Sequence, residues 1–433
     1  MVIRLSLNHP VARLAFIFVG LPALALLVWL TIAHFIIGTV ADTRVETAPA
    51  LLAAAADYFP NAPQLQARLA VLELAETVNP EEAAARAETH ATRAVRLSAK
   101  NYQNWLLLAE AREASGDTAN ALAALRTAVQ LAPRYTEVHW QLANLLLRSG
   151  QVAESLPSFR TAVSLDQSKL GPTLDLLFSV TDGNVGSLET AAGDDPNERL
   201  GLARFLLERS LTDDAVRVFR SVNRQAQLKS AETGQFISGL MAAGKNELAR
   251  RLWGELLSPD RQAPLIWNGG FESDAVTGLG QFDWALKDSE FAWIGISGGE
   301  GHSGTRALRI DFAGRDTTRL ADEIRQMVIV QPGADYRLEC YVKTVGLESP
   351  EGPRLQVSSS QAELAASEPV ANGDRDWSLL TLNFKAPADS PVVFVGIRRT
   401  PKFSYDQPTS GSVWFDDFNL TPLETARPVT AAR

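Results

Sequence analysis

NYQNWLLLAEAREASGDTANALAALRTAVQLAP, residues 101–133, holds two apolar-faced runs split by Ser115, Gly116 and Asp117 and closed by Pro133. Each run is long enough for a helix. A glycine suits the turn where the first must end, and a proline cannot continue the second. The same design recurs on either side. Ala94, Ala128 and Ala162 are 34 residues apart, as are Ala75, Ala109 and Ala143, then Ala87, Ala121 and Ser155, then Ala91, Leu125 and Phe159. A second block keeps the step, from Ala215 to Ala249 and from Phe219 to Trp253. Small residues where two helices cross let the backbones approach, and a larger one a turn away fills the groove beside them. One such pair cannot bury its own apolar face, so successive pairs must stack.

With Trp105, Leu108, Ala109, Gly116, Ala121, Leu125, Ala128 and Pro133 in place, residues 101–133 resemble the tetratricopeptide repeat (TPR). The unit after it keeps Leu142, Ala143, Gly150, Phe159 and Ala162. The solenoid is expected over 68–260, as about five helical pairs, with a helix near 48–58 in the linker 41–67 before it. The phase breaks once, at the Gly- and Asp-rich segment 183–198, which reads as a shortened or irregular unit. The resemblance implies docking of a protein partner and no catalysis. Arg112, Arg126, Arg148 and Arg160 are candidates for the partner-facing side, with ordinary solvated surface the other reading for each.

Outward from the repeat, toward the N-terminus, residues 14–41 carry no charged side chain, a run of 28. About 20 apolar residues cross a bilayer, whereas the apolar core of a signal peptide runs to roughly 7–15. A transmembrane anchor over 14–40 is therefore expected, with a kink near Gly20 and Pro22. Arg4 and Arg13 precede it without an acid, and Asp42, Arg44 and Glu46 follow it. The positive-inside rule then puts 1–13 in the cytoplasm and the bulk of the chain in the periplasm, as a single-pass protein of the inner (cytoplasmic) membrane.

Toward the C-terminus the composition changes. Five of the nine Trp fall after residue 260, and short alternating runs such as YRLECYVKT and SVWFDDFNL recur between Gly and Pro turns. An all-β sandwich over 264–423 follows, with a disordered tail at 424–433. In YRLECYVKT, Tyr336, Leu338, Cys340 and Val342 share the face expected to be buried. NGGFE at 268–272, Trp284, GHSGTRALRI at 301–310, DWSLLTLNFKAP and SGSVWFDDFNL, taken in order, look like the jelly rolls of carbohydrate-binding module families four, nine and twenty-two. That resemblance implies glycan contact and a structural Ca2+ held by Glu272, Asp416 and Asp417 with a carbonyl near Gly301. Ordinary hydrogen bonds or ion pairs are the other reading of those carboxylates. Phe291 and Trp293 on one strand, Tyr341 on another, and Phe403 and Tyr405 in a late loop are the candidate sugar-stacking rings. Trp284 and Trp377 fill positions that are core in the resembling families.

The net charge of −9 argues against a nucleic-acid binder, which needs a surplus of Lys and Arg. No P-loop, Gly-x-Ser-x-Gly or paired-His zinc motif occurs. The expectation is a multidomain, non-catalytic envelope protein: one transmembrane helix, an all-α TPR-like solenoid gripping a protein, and an all-β jelly roll contacting polysaccharide. Assembly or export of a surface polysaccharide in a Gram-negative bacterium is the setting it fits. A pure protein–protein scaffold whose sandwich no longer binds sugar is the alternative, and a glycan-processing enzyme is the least favoured.

Overall fold

The computed structural model describes residues 14, 16–42, 48–258 and 263–423. The expected cytoplasmic start at 1–13 and tail at 424–433 lie outside them. The chain divides into two compact units, Met1–Glu198 and Arg199–Arg433. The division falls inside the helix Pro196–Glu208.

The first unit opens with the π-helical turn Phe16–Gly20, followed by the α-helix Leu21–Ala41. Pro22 has no N–H for the carbonyl four residues back, and the widened turn ahead of it absorbs that gap. Ile17–Ala41 numbers 25 residues, about 37 Å of helix at 1.5 Å per residue, against a hydrocarbon layer of about 30 Å. Thr31 and Thr39 donate their hydroxyls to the carbonyls of Leu27 (2.8 Å) and Phe35 (2.9 Å), so neither needs water. Ala33 alone is buried on this α-helix. Its last turns behave differently. Ile37, Val40 and Ala41 pack on Leu52, Ala55, Ala56 and Leu65 from the next two helices, Pro49–Tyr58 and Pro63–Leu74. Trp29 meets Phe59 with ring centres 6.4 Å apart.

Antiparallel helical pairs follow: Pro63–Leu74 with Pro80–Leu97, Tyr102–Ala114 with Thr118–Leu131, Thr136–Arg148 with Val152–Leu165, and Leu170–Val180 with Val185–Ala192. The residues that set the 34-residue step are those at the crossings. Ala87, Ala91, Ala94, Ala121, Ala128, Ala143 and Ala162 are fully buried. Gly116 takes the left-handed φ of 79° that the turn demands. Its amide donates to Glu113 O (2.9 Å) and that of Asp117 to Arg112 O (2.8 Å), closing the first helix. Asp117 then caps the second by accepting from Asn120 N. The irregular segment still builds a pair, though its second helix is only eight residues long. With Pro196–Glu208 and Thr212–Ser221, then Ala231–Ala242 and Asn246–Leu257, six pairs stand among the described residues where about five are expected.

In the second unit the last helical pair and the sandwich are packed into one body. Trp253 is fully buried, donates its indole N–H to Leu279 O (2.8 Å), and meets Trp267 and Phe282 edge-on at 5.0 and 5.6 Å. Arg250 lies over the Trp253 ring (4.9 Å) and donates to Pro264 O (2.6 Å). Burial without an acid lowers its pKa to about 10. The helix of Gly234 comes so near the loop at Gly278 that a Cβ there would sit 2.1 Å from its carbonyl oxygen.

The sandwich has strands β1 (Ala285–Leu286), β2 (Ala292–Gly298), β3 (Arg306–Arg315), β4 (Ile324–Ile329), β5 (Asp335–Glu348), β6 (Arg354–Ser358), β7 (Glu363–Ala366), β8 (Gly373–Lys385), β9 (Val392–Arg398) and β10 (Thr409–Pro422). One sheet has the order β1-β4-β9-β6-β7 and the other β2-β3-β10-β5-β8. All the pairings are antiparallel. Tyr336, Leu338, Cys340 and Val342 are buried between the sheets, as their alternation predicts. Burial pushes the Cys340 thiol far up, so it serves as a small core residue.

Candidate functional site

The outer face of the first sheet carries a polar cleft of about 330 Å³. Its floor comes from β6 and β9, whose register sets Arg354 opposite Arg398 and Gln356 opposite Gly396. Like charges directly across a sheet repel. Here Glu351 pairs with Arg354, and Arg398 finds Thr400 Oγ1 at 3.3 Å. Gln356 donates to the carboxylate of Glu363 on β7. Lys402 closes the rim. The cleft thus presents guanidinium, ammonium, amide and carboxylate groups in one concavity, the mixed lining that a hydroxyl-rich ligand requires.

Beside it the loop 401–406 holds Phe403 and Tyr405 outward, 66% and 67% exposed. The loop that bears them is clamped from within. Asp406 accepts from the amides of Lys402 (2.7 Å) and Phe403 (3.1 Å) and from Arg399 Nη2 (3.0 Å). Burial alone would raise the Asp406 carboxyl. Those two amides and the guanidinium outweigh it and hold the pKa below the ordinary value. Arg399, itself 1% exposed, also donates to Thr318 O (2.5 Å) and to Glu351 O (3.2 Å). One buried guanidinium therefore fixes both the aromatic loop and the Glu351 wall of the cleft.

The five candidate rings do not form one platform. Trp293 is 54% exposed on β2, an edge strand of the second sheet, and folds over Gly295, where a Cβ would lie 2.7 Å from the indole. Phe291, just ahead of that strand, is half-buried. Tyr341 is already covered, with the His302 ring stacked on it at 3.6 Å. Trp377, read as core from the resemblance, is instead half-exposed, with its ring edge-on to His302 at 5.6 Å. Trp414 is buried with Arg309 over its ring (4.9 Å). The cleft residues Arg354, Gln356, Arg398 and Lys402 escaped the sequence reading. Outward arginines in RLQV and VGIRR are a weak signal, because nothing in the sequence says that these two strands are neighbours.

The residues expected to hold calcium do come together, around the loop 301–306. Glu272 accepts from the amides of Thr305 and Arg306, both at 2.7 Å. Those two bonds, Thr305 first, lower its pKa. Asp416 Oδ2 accepts from His302 N (2.7 Å) and Ser303 N (3.2 Å), and its Oδ1 from Asp417 N (2.7 Å). Asp417, in a left-handed conformation at a register shift of β10, accepts from Ser303 Oγ (2.5 Å) and bonds His302 Nδ1 (2.7 Å). Each carboxylate is thus turned toward N–H and O–H donors, the wrong polarity for a cation's neighbours. Among the described residues no three His, Cys, Asp or Glu side chains are grouped to hold a metal. In this arrangement the cluster is a hydrogen-bonded clasp between the chain ends of the sandwich, and calcium does not fit it without displacing those donors.

In the solenoid, the four candidate arginines all bridge to acids of other helices or loops: Arg112 to Glu88 (3.1 Å), Arg126 to Glu154 (3.3 Å), Arg148 to Glu113 (2.6 Å) and Arg160 to Asp194 (2.5 Å). They line the seams between successive helical pairs, where sequence separations of 24 to 35 residues hid their partners.

Residues 112–167 match the tetratricopeptide-repeat family model. No curated protein matches the chain in sequence. Similar solved structures include a CBM4 module, 18% identical, covering 36% of this chain and 99% of that one with a TM-score of 0.27. A thermophilic TPR protein of Thermus thermophilus is 19% identical over 40% of this chain and 87% of that one, with a TM-score of 0.28. The module TmCBM61, in complex with β-1,4-galactotriose, is 17% identical over 37% of this chain and 99% of its own, with a TM-score of 0.25. At these identities the likeness is one of fold alone.

Proposed function

We propose that this chain is a non-catalytic, membrane-anchored envelope protein whose solenoid docks a protein partner and whose sandwich holds glycan. The helix Ile17–Ala41 is its anchor, with the bulk of the chain on the periplasmic side, and its setting is the assembly or export of a surface polysaccharide. The observation that carries the glycan reading is the polar cleft of about 330 Å³, whose rim residue Lys402 begins the pinned turn that bears the exposed rings of Phe403 and Tyr405. Donors and acceptors take sugar hydroxyls while an aromatic face covers the C–H side of a ring, a division of labour that gives a shallow site its selectivity.

Affinity electrophoresis of the detergent-solubilised full chain in gels loaded with neutral and acidic polysaccharides tests it. Retardation in at least one gel is expected, weakened tenfold or more by Arg398→Ala or Phe403→Ala. Migration unchanged in every gel removes the glycan reading and favours the pure scaffold. Hydrolysis of any polysaccharide by the pure chain promotes the enzyme. A phosphatase reporter fused after residue 423 is expected to be active, and a fluorescent protein there that reports from the cytosol overturns the topology.

A further inference from the structure

We propose that the groove between the apolar helix and the short helix Pro49–Tyr58 holds an acyl chain of a membrane phospholipid, which places that short helix in the leaflet on the solenoid's side. The proposal rests on reading Ile17–Ala41 as the anchor and says what the anchor carries into the lipid.

The groove measures about 440 Å³ and its lining is wholly alanine, aliphatic and aromatic. Trp29, Ile32 and Ile36 supply one wall and Leu51, Ala54 and Tyr58 the other, each set at the spacing of a single helical stripe. The short helix, PALLAAAADY, is apolar on more than the face it packs. Leu52, Ala55 and Ala56 are buried in one cluster with Leu65 of the helix that follows. The groove side is left open, with Leu51 57% and Tyr58 72% exposed. A helix apolar beyond its packed face gains by leaving water.

Length says what covers that side. Residues 17–28, ahead of Trp29, make only about 18 Å of helix, well short of the roughly 30 Å of hydrocarbon to be crossed. About 20 residues are needed, and counted from Ile17 they end at Ile36. The hydrocarbon therefore rises past Trp29 and Ile32, and the groove opens onto acyl chains. A third helix, 10 Å across, would fill roughly 1,300 Å³ over the three turns from Trp29 to Val40, far more than the groove holds. A thin, flexible chain fits. Asp57, the one charge on the short helix, is exposed. With the phenol of Tyr58 it suits the boundary of headgroups and chains, where interfacial helices lie.

The test uses the full chain in phosphatidylcholine nanodiscs with and without bromine on the acyl chains. A fluorophore is attached at Ala54→Cys, or at Leu24→Cys in the anchor as reference, while Cys340 is buried and stays unlabelled. Bromine is expected to quench both labels, the groove label at least half as strongly as the reference. Quenching at Leu24→Cys with none at Ala54→Cys overturns the groove and leaves the anchor standing. Quenching at neither overturns both. Retention separates a held chain from a helix merely bathed in lipid. After a detergent wash the wild type and Ala53→Trp, on the other side of the helix, are expected to keep a phospholipid in native mass spectrometry. Ala54→Trp, which fills the groove, should retain at least tenfold less with its thermal transition unchanged. Equal retention by all three, or none by the wild type, overturns the proposal.

Discussion

The solenoid and the sandwich use charge in opposite ways. Along the first unit, exposed arginines reach across seams to acids on other segments, with Arg126, Arg148 and Arg160 each half or more in water. In the sandwich some charges are drawn inside, although Arg315–Glu290 and Arg306–Asp274 stay at its surface. Arg399 and Asp406 have no exposed side-chain surface, and Asp416 is fully buried. The difference follows from how each part is assembled. A stack of hairpins is held by repeated small apolar crossings, so its charges only trim the register between neighbours. A two-sheet sandwich has long loops to fix, and a buried charge surrounded by N–H donors fixes a loop in one geometry. Surface pairs are weak and screened by salt. A buried pair broken on one side leaves a charge that nothing compensates.

The contrast can be broken first at its strong end. Arg399→Met should cost about 3–5 kcal/mol, read by chemical denaturation of the full chain, because Asp406 is left buried and unpaired. pH sharpens this. The Asp406 pKa is depressed in the fold, so its contribution is present above the unfolded value of about 3.9 and is lost as pH falls through the folded one. Arg399→Met removes the guanidinium that helps hold that pKa down, so the pKa should rise relative to wild type and the gap between the two proteins should narrow on acidification. A gap independent of pH would remove the charge argument.

Trp253→Ala comes next. Emptying a fully buried indole costs about 3–5 kcal/mol at most sites. Here it should also split the melting of the second unit into two steps, since Trp253 joins the last helical pair to Trp267 and Phe282. A single retained transition in calorimetry would show that the two parts are coupled elsewhere.

Smaller again is Glu272→Gln, which keeps the shape but weakens the acceptor facing Thr305 and Arg306, lowering the sandwich transition by a few degrees. A chelator should leave the wild-type transition where it is. A fall on chelation, reversed by adding calcium, would return a cation to the cluster. The smallest effect belongs to Arg148→Ala, about 0.2–1 kcal/mol at low salt and vanishing in high salt. A larger or salt-independent loss would mean that the seams do more than trim register.

Much of this architecture could be read from the chain itself. The alanines of the 34-residue step lie at the helix crossings because a period reports a contact that is repeated, and Cys340 is buried because strand alternation leaves no other place. What escaped depends on neighbours that are distant in sequence. Arg354 and Arg398 form a cleft only because β6 lies beside β9. The solenoid arginines read as free because their acids sit in other segments. Trp377 is misplaced by analogy, and Trp267 reads as part of the sandwich when it also completes a helical junction.

Ile37, Val40 and Ala41, wedged among Leu52, Ala55, Ala56 and Leu65, join the apolar helix to the helices that follow it. In the proposed setting the first hairpin would then be a bracket bolted to its post. A tug on a partner held by the solenoid would lever the helix within the lipid, and the bilayer's resistance to tilting would limit how far the base of the solenoid can swing.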